Sequence, residues 1–169
     1  MKDNEKGQNW YAVYTAPRAE KKVSERFTNS KIEHYLPLKK VKHQWTDRVK
    51  EILMPVINGY IFVKITVSEF QKVTSIYGSI AFVREGGNPV QIPENQITNM
   101  RKMVEMADEL VEFTNENFGT GQIISIIKGP LEGMEGELVR LNGRHKVLIR
   151  IAGLGSAFTT IPISYIREI

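Results

Sequence analysis

The clearest periodicity in the chain is the two-residue alternation of Tyr60-Ile61-Phe62-Val63-Lys64-Ile65, entered from the turn-like stretch Pro55-Val56-Ile57-Asn58-Gly59. As a strand it places Ile61, Val63 and Ile65 on one face and Tyr60, Phe62 and Lys64 on the other. The aliphatic face reads as core. The aromatic face reads either as a second core face beneath a helix or as a surface covered by a partner. Upstream, Asn9-Trp10-Tyr11-Ala12-Val13-Tyr14 reads as a buried strand. Ala19, Val23 and Phe27 then recur every four residues, which predicts an amphipathic helix with Pro17 in its first turn and Arg18, Lys21, Lys22 and Arg26 on its other sides.

Downstream, Ser68-Glu69-Phe70-Gln71 has the form of a capping box, and Phe70, Val73 and Tyr77 predict a short helix stopped at Gly78. Ile80 to Arg84 reads as a strand and Glu85-Gly86-Gly87-Asn88-Pro89 as a turn. Ile97, Met100, Val104 and Ala107 form the apolar stripe of a third helix. Past Phe118 the pattern changes to short strand-like runs, Gln122 to Ile127, Gly136 to Leu141, Lys146 to Ile151 and Phe158 to Ile163. They are separated by Gly129-Pro130, the tight-hairpin signal Asn142-Gly143, and Gly153-Leu154-Gly155.

These elements predict an α+β protein of two domains. Residues 1–8 read as a disordered tail and 9–107 as a mixed sheet of about four strands with three flanking helices. Residues 108–117 read as an acidic linker, and 118–169 as a small closed β-barrel.

Charge sharpens this division. The net charge of the 169 residues is only +4, yet residues 1–102 carry +7, residues 103–117 carry −5 with no Lys or Arg, and residues 118–169 carry +2. A basic first half suits an anionic partner. The densest stretch is Lys39-Lys40-Val41-Lys42-His43-Gln44-Trp45-Thr46-Asp47-Arg48-Val49-Lys50, where five cations and one acid surround a tryptophan. That composition suits a hairpin that touches phosphates and stacks on a base, and equally a solvated arm.

Other chemistries find little support. With no cysteine there is no disulfide, thiolate metal site or cysteine nucleophile. His34, His43 and His145 lack metal-ligand spacing, and Lys128-Gly129-Pro130 lacks the spacing of a phosphate loop. No cofactor is expected, and the chain does not read as an enzyme. No apolar run approaches a membrane span, and the polar start without a signal core predicts a cytoplasmic protein.

Several of these residues together resemble the NusG family of transcription elongation factors. They are Trp10-Tyr11, the Ala19 to Phe27 helix, Asn58-Gly59-Tyr60-Ile61-Phe62-Val63 and Phe82-Val83-Arg84. Gly121-Gln122-Ile123 through Lys128-Gly129-Pro130-Leu131-Glu132-Gly133-Met134-Glu135-Gly136 resembles a KOW motif, which implies an NGN-type domain followed by an SH3-like barrel. The Phe82 to Pro89 run with Ile92-Pro93 is similar to the specialised RfaH and UpxY-type antiterminators of surface-polysaccharide operons.

The resemblance implies a monomeric factor that binds the clamp helices of RNA polymerase through Tyr11, Tyr60, Phe62 and Phe82. It implies contact with the non-template DNA strand through Arg18, Lys21, Lys22, Lys39, Lys40, Lys42, Trp45 and Arg48. It further implies recruitment of the ribosome or Rho through the barrel at Ile151, Ala152 and Leu154. The alternative reading is a ribosome-associated or RNA-binding KOW module acting in translation, since KOW barrels also occur in ribosomal proteins. Two departures stand out: the histidine-threonine run of RfaH is absent around Glu69-Phe70-Gln71-Lys72, and Ala152 stands where NusG carries an aromatic. The glycines and Pro130 of the tail oppose its refolding into the long helices that RfaH can adopt.

Overall fold

A computed structural model describes residues 7–169. The first six positions of the tail predicted over 1–8 lie outside the described residues. In chain order the elements are β1 (Asn9–Thr15), α1 (Glu20–Asn29), β2 (His34–Tyr35), β3 (Leu38–Gln44), β4 (Val49–Pro55) and β5 (Tyr60–Ile65). There follow α2 (Phe70–Thr74), β6 (Ser79–Phe82), β7 (Arg84–Glu85), β8 (Asn88–Pro89) and α3 (Glu94–Met106). The remainder is β9 (Glu112–Thr114), β10 (Gln122–Ile126), β11 (Glu135–Leu141), β12 (Arg144–Ile151), β13 (Gly155–Thr160) and β14 (Ile166–Glu168). The chain divides into two compact units at Glu94/Asn95, so that most of α3 falls with the second.

The first unit is built on a four-stranded sheet in the order β2-β5-β1-β6. All of its pairings are antiparallel, in place of the mixed sheet expected. β1 and β2, joined through α1, run in the same direction, as do β5 and β6, joined through α2, but an antiparallel strand lies between the members of each pair, so no two neighbouring strands are parallel. The aliphatic face of β5 is core as predicted: Ile61, Val63 and Ile65 are buried with Tyr11 and Val13 of β1, Val23 and Phe27 of α1, Val73 of α2 and Phe82 of β6. Each fully buried aliphatic or aromatic side chain of this kind contributes roughly 1.5–3 kcal/mol over its exposed state.

Helix boundaries differ from the sequence pattern for local reasons. α1 starts at Glu20, because Arg18 takes a positive φ of 59° and the chain turns there before the helix can propagate. The capping box lies two residues earlier than predicted: the Glu69 carboxylate accepts from the Thr66 main-chain N–H at 3.1 Å and from its hydroxyl at 3.0 Å, around a single 3₁₀ turn. α2 ends at Thr74, so Tyr77 lies outside it, exposed, with the Arg26 guanidinium 4.9 Å above its ring. On α3 the buried stripe is Ile97, Met100 and Met103; Val104 is half-buried and Ala107 follows the helix.

β3 and β4 form a two-stranded ribbon of their own, seven residues a side, with Leu38 opposite Pro55 and Gln44 opposite Val49. The turn closes with the Trp45 N–H donating to the Arg48 carbonyl at 2.7 Å.

In the second unit, six antiparallel strands run in the order β14-β10-β11-β12-β13-β9, a barrel-like sheet whose core includes Ile124, Ile126, Val147, Leu148 and Ala157. Asn142-Gly143 makes the predicted hairpin turn, with φ of 52° and 74°. The segment read as an acidic linker is partly structured: β9 pairs along β13.

Candidate functional site

Register determines what the aromatic face of β5 can do. Directly opposite residues of antiparallel strands share a face. Tyr14 lies opposite Tyr60, Ala12 and Tyr35 opposite Phe62, and Trp10 opposite Lys64. The face therefore reads Trp10, Ala12, Tyr14 along β1 beside Lys64, Phe62, Tyr60 along β5.

One end of this face is closed. Trp10 bridges to Ile92, its indole N–H donates to the Glu94 carboxylate at 2.9 Å, and the Lys64 ammonium lies 3.4 Å from the same carboxylate. Phe62, in the middle, has no exposed surface and its ring stacks on Tyr35 with centroids 6.4 Å apart. The other end is open: the Tyr14 and Tyr60 rings meet at 5.0 Å, with Tyr14 40% exposed and Tyr60 half-buried. Burial, then the adjoining Tyr14 and its hydroxyl, raise the Tyr60 phenol above the ordinary tyrosine range. Two phenols on an apolar shelf can fill a hydrophobic pocket in a partner while keeping a hydrogen bond.

The structure separates the four residues singled out for polymerase binding. Tyr60 and Phe62 share this face. Tyr11 and Phe82 lie on the opposite one, 2% and 3% exposed, with their rings 5.9 Å apart and both against Phe70. They are core residues beneath the helices. Tyr14, which sequence reading left in a buried strand, completes the exposed pair. The alternation of Trp10, Ala12 and Tyr14 was visible, but the register with a strand some fifty residues away was not.

The basic residues divide similarly. On the β3-β4 ribbon, Lys40 and Lys42 share a face with Leu53 and Glu51, whereas Lys39 lies with Val41, His43, Ile52 and Met54. The exposed Trp45 joins the Lys39 face, its ring edge-on to His43 at 5.0 Å. Arg48 sits in the turn. Arg18, Lys21 and Lys22 are exposed at the start of α1. Arg18 and Lys21 border a cleft of about 700 Å³ that is also lined by Leu53 and Met54, so the first turn of α1 and the root of the ribbon flank one depression. Glu20, in the same lining, is tied back by accepting the Gly59 N–H at 2.8 Å.

In the second unit Ile151 is 2% exposed and packs in the barrel core, while Ala152 and Leu154 are half-buried. The Ala152 N–H donates to the Gln96 side-chain oxygen at 2.8 Å. Arg150 binds Glu137 through Nε at 2.6 Å and also reaches the carbonyls of Phe118 and Gly119. The Glu137 contact raises its already high pKa. Among the described residues no group of three or more His, Asp or Glu is arranged to hold a metal ion. No described helix is long and apolar enough to cross a membrane.

An antiparallel α+β unit with one aromatic sheet face, followed by a small barrel-like unit, is the class of protein in which an NGN-type domain precedes a KOW domain. Comparison with known proteins identifies the family. The family model described as transcription termination factor nusG matches residues 8–101, more than half of the chain, and the chain belongs to the NusG family. The transcription termination/antitermination protein NusG of Rickettsia conorii is 26% identical over 164 residues, covering 86% of this chain and 83% of the relative. That of Rickettsia felis is 27% identical over 164 residues with the same coverage. A solved structure of Thermotoga maritima NusG, described as showing domain interaction, is 20% identical with a TM-score of 0.54. It covers 96% of this chain and 97% of its own, and supports the fold. The chain is thus a NusG-type transcription termination/antitermination factor.

Proposed function

We propose that this factor docks on the clamp helices of RNA polymerase through the Tyr14/Tyr60 end of its aromatic face and suppresses pausing or termination. The half-exposed tyrosine pair on an otherwise closed sheet face carries this reading. Phe62 acts as the buried support beneath it rather than as a contact. The exposed cations Lys40, Lys42, Arg18, Lys21 and Lys22, with Trp45 and Arg48 at the ribbon's tip, hold the non-template strand at the upstream fork, mainly through phosphates.

The Phe82 to Pro89 run favours a specialised factor of the RfaH and UpxY kind, serving an operon such as one for surface polysaccharide. The barrel provides the second contact, to the ribosome or Rho, through Ala152 and Leu154. The protein acts as a monomer in the cytoplasm.

Single-round elongation by the cognate polymerase on a template with a pause and a terminator tests the reading. Wild type is expected to raise read-through, and a folded Tyr14→Ser/Tyr60→Ser variant is expected to lose that effect. Equal read-through by the folded variant would remove the tyrosine pair from the mechanism.

A further inference from the structure

The acidic stretch between α3 and the barrel is attached to the second unit by three kinds of contact. β9 pairs antiparallel along the edge of β13, with Thr114 opposite Ser156, Phe113 opposite Ala157 and Glu112 opposite Phe158. Just before it, the hydroxyl of Thr159, 1% exposed, lies 3.3 Å and 3.0 Å from the carbonyls of Glu109 and Leu110, which accept from it. The third contact is electrostatic. Glu112 meets the Lys146 ammonium at 3.2 Å, while Asp108 and Glu109 share the lining of a cavity of about 360 Å³ with Lys128, Arg144 and His145. Glu112 thus pairs with a barrel cation, and Asp108 and Glu109 form part of a cavity wall that Lys128, Arg144 and His145 share.

This attachment is short and incomplete, with Val111, 5% exposed, as the one buried side chain of residues 108–114. The ladder has three pairs, and all three β9 residues are only half-buried. The Glu112 side chain is 45% exposed and Leu110 is 58% exposed. A sheet edge held by so short a strand, with a basic cavity beside it, has the features that accept an added strand from another chain: main-chain pairing for affinity and charge for selection. We infer that the β13 edge and its adjoining basic cavity form a docking surface for an acidic extended segment of a partner protein. Residues 108–114 occupy that surface in cis, and a partner strand displaces them. The chemistry of the cis occupant, acids spaced around an apolar Leu-Val pair, is the chemistry selected from the partner. This surface is distinct from the Ala152/Leu154 loop and does not depend on the polymerase reading.

The test is strand complementation in the full-length chain. Residues 108–114 are replaced by a Gly/Ser stretch of equal length, and a fluorescein-labelled peptide with the sequence of residues 107–113 is titrated into this variant and into wild type by anisotropy. The variant is expected to bind the peptide at least tenfold more tightly than wild type, whose edge is already occupied. A peptide with the three acids amidated to Asn and Gln is expected to bind at least tenfold more weakly. Lys146→Glu in the variant is expected to lose the acidic peptide and to regain affinity for one carrying E112K.

Gly155→Ala gives an independent opening of the edge. A Cβ there would collide with the Thr114 carbonyl oxygen, and the peptide, ending at 113, escapes the clash. The inference is overturned if the Gly/Ser variant folds without binding the peptide, or if acidic and amidated peptides bind alike. It is also overturned if the variant loses the barrel's strand signal in circular dichroism and the peptide does not restore it, since the segment is then a permanent part of the fold.

Discussion

Phe62→Ala separates support from contact on the aromatic face. The side chain has no exposed surface and is stacked on Tyr35. A buried phenylalanine removes roughly 150–250 Å² from water, and its truncation to alanine, including the cavity left behind, costs about 3–5 kcal/mol. The first unit ends at Glu94, and a domain of that size is stable by about 5–14 kcal/mol, so the substitution removes from about a fifth of the total to all of it. At about 4–8 °C per kcal/mol for such a domain, its melting temperature is expected to fall by roughly 12–40 °C in calorimetry or circular dichroism. Tyr60→Ala, at a half-buried rim position, is expected to cost about 1–2 kcal/mol. A drop of under about 5 °C for Phe62→Ala would refute the packing argument and make Phe62 a candidate contact after all. The expected large drop means that weak polymerase binding by Phe62→Ala reports unfolding, which is why Tyr14 and Tyr60 are the informative positions.

Tyr14→Phe removes a neighbour that raises the Tyr60 pKa, so an ultraviolet phenolate titration is expected to show Tyr60 ionising at lower pH, though still above the ordinary range because burial is the larger cause. A raised folded pKa binds the proton more tightly than the unfolded chain does. The associated stability is therefore complete below the unfolded value of about 10 and is lost as pH rises through the folded value, a loss that Tyr14→Phe should shrink. Arg150→Ala leaves Glu137, 8% exposed, with the Gly121 N–H as its remaining named partner. Because Arg150 is itself about a third exposed, the cost is expected to be roughly 2 kcal/mol, read as a lower melting temperature of the second unit. Lys40→Ala/Lys42→Ala is expected to reduce the slope of log affinity against log salt on single-stranded DNA by about 1.4, at about 0.7 per lost phosphate contact. Lys39→Ala, on the other ribbon face, should leave the slope nearly unchanged, and an unchanged slope for the double variant would remove the Lys40/Lys42 face from the DNA contact.

Local periodicity made most of the architecture legible. The two faces of β5, the β3-β4 ribbon, the Asn142-Gly143 turn and the barrel strands all follow from alternation or turn chemistry within a few residues. What failed depended on register or on competing local geometry. Tyr11 and Tyr14 lie in one strand, and which of them meets Tyr60 is decided by pairing with β5, which no local pattern encodes. The same holds for Lys39 against Lys40 and Lys42: composition placed all three on the arm, and the hairpin register put them on different faces. Arg18 delayed α1 through its positive φ, and Tyr77 lay outside α2 because the helix ended at Thr74. The stretch 108–117 looked like a linker because its acids and few apolar residues show no strand period. Its partner was the edge of β13, about forty residues further on.

Docking through the tyrosine pair is measured by the affinity of the intact protein for cognate RNA polymerase, compared between wild type and Tyr14→Ser/Tyr60→Ser with equal folded content. Loss of two central aromatic contacts at about 2 kcal/mol or more predicts affinity at least about thirtyfold weaker for the variant. Unchanged affinity would remove Tyr14 and Tyr60 from the interface and move the docking surface elsewhere on the molecule.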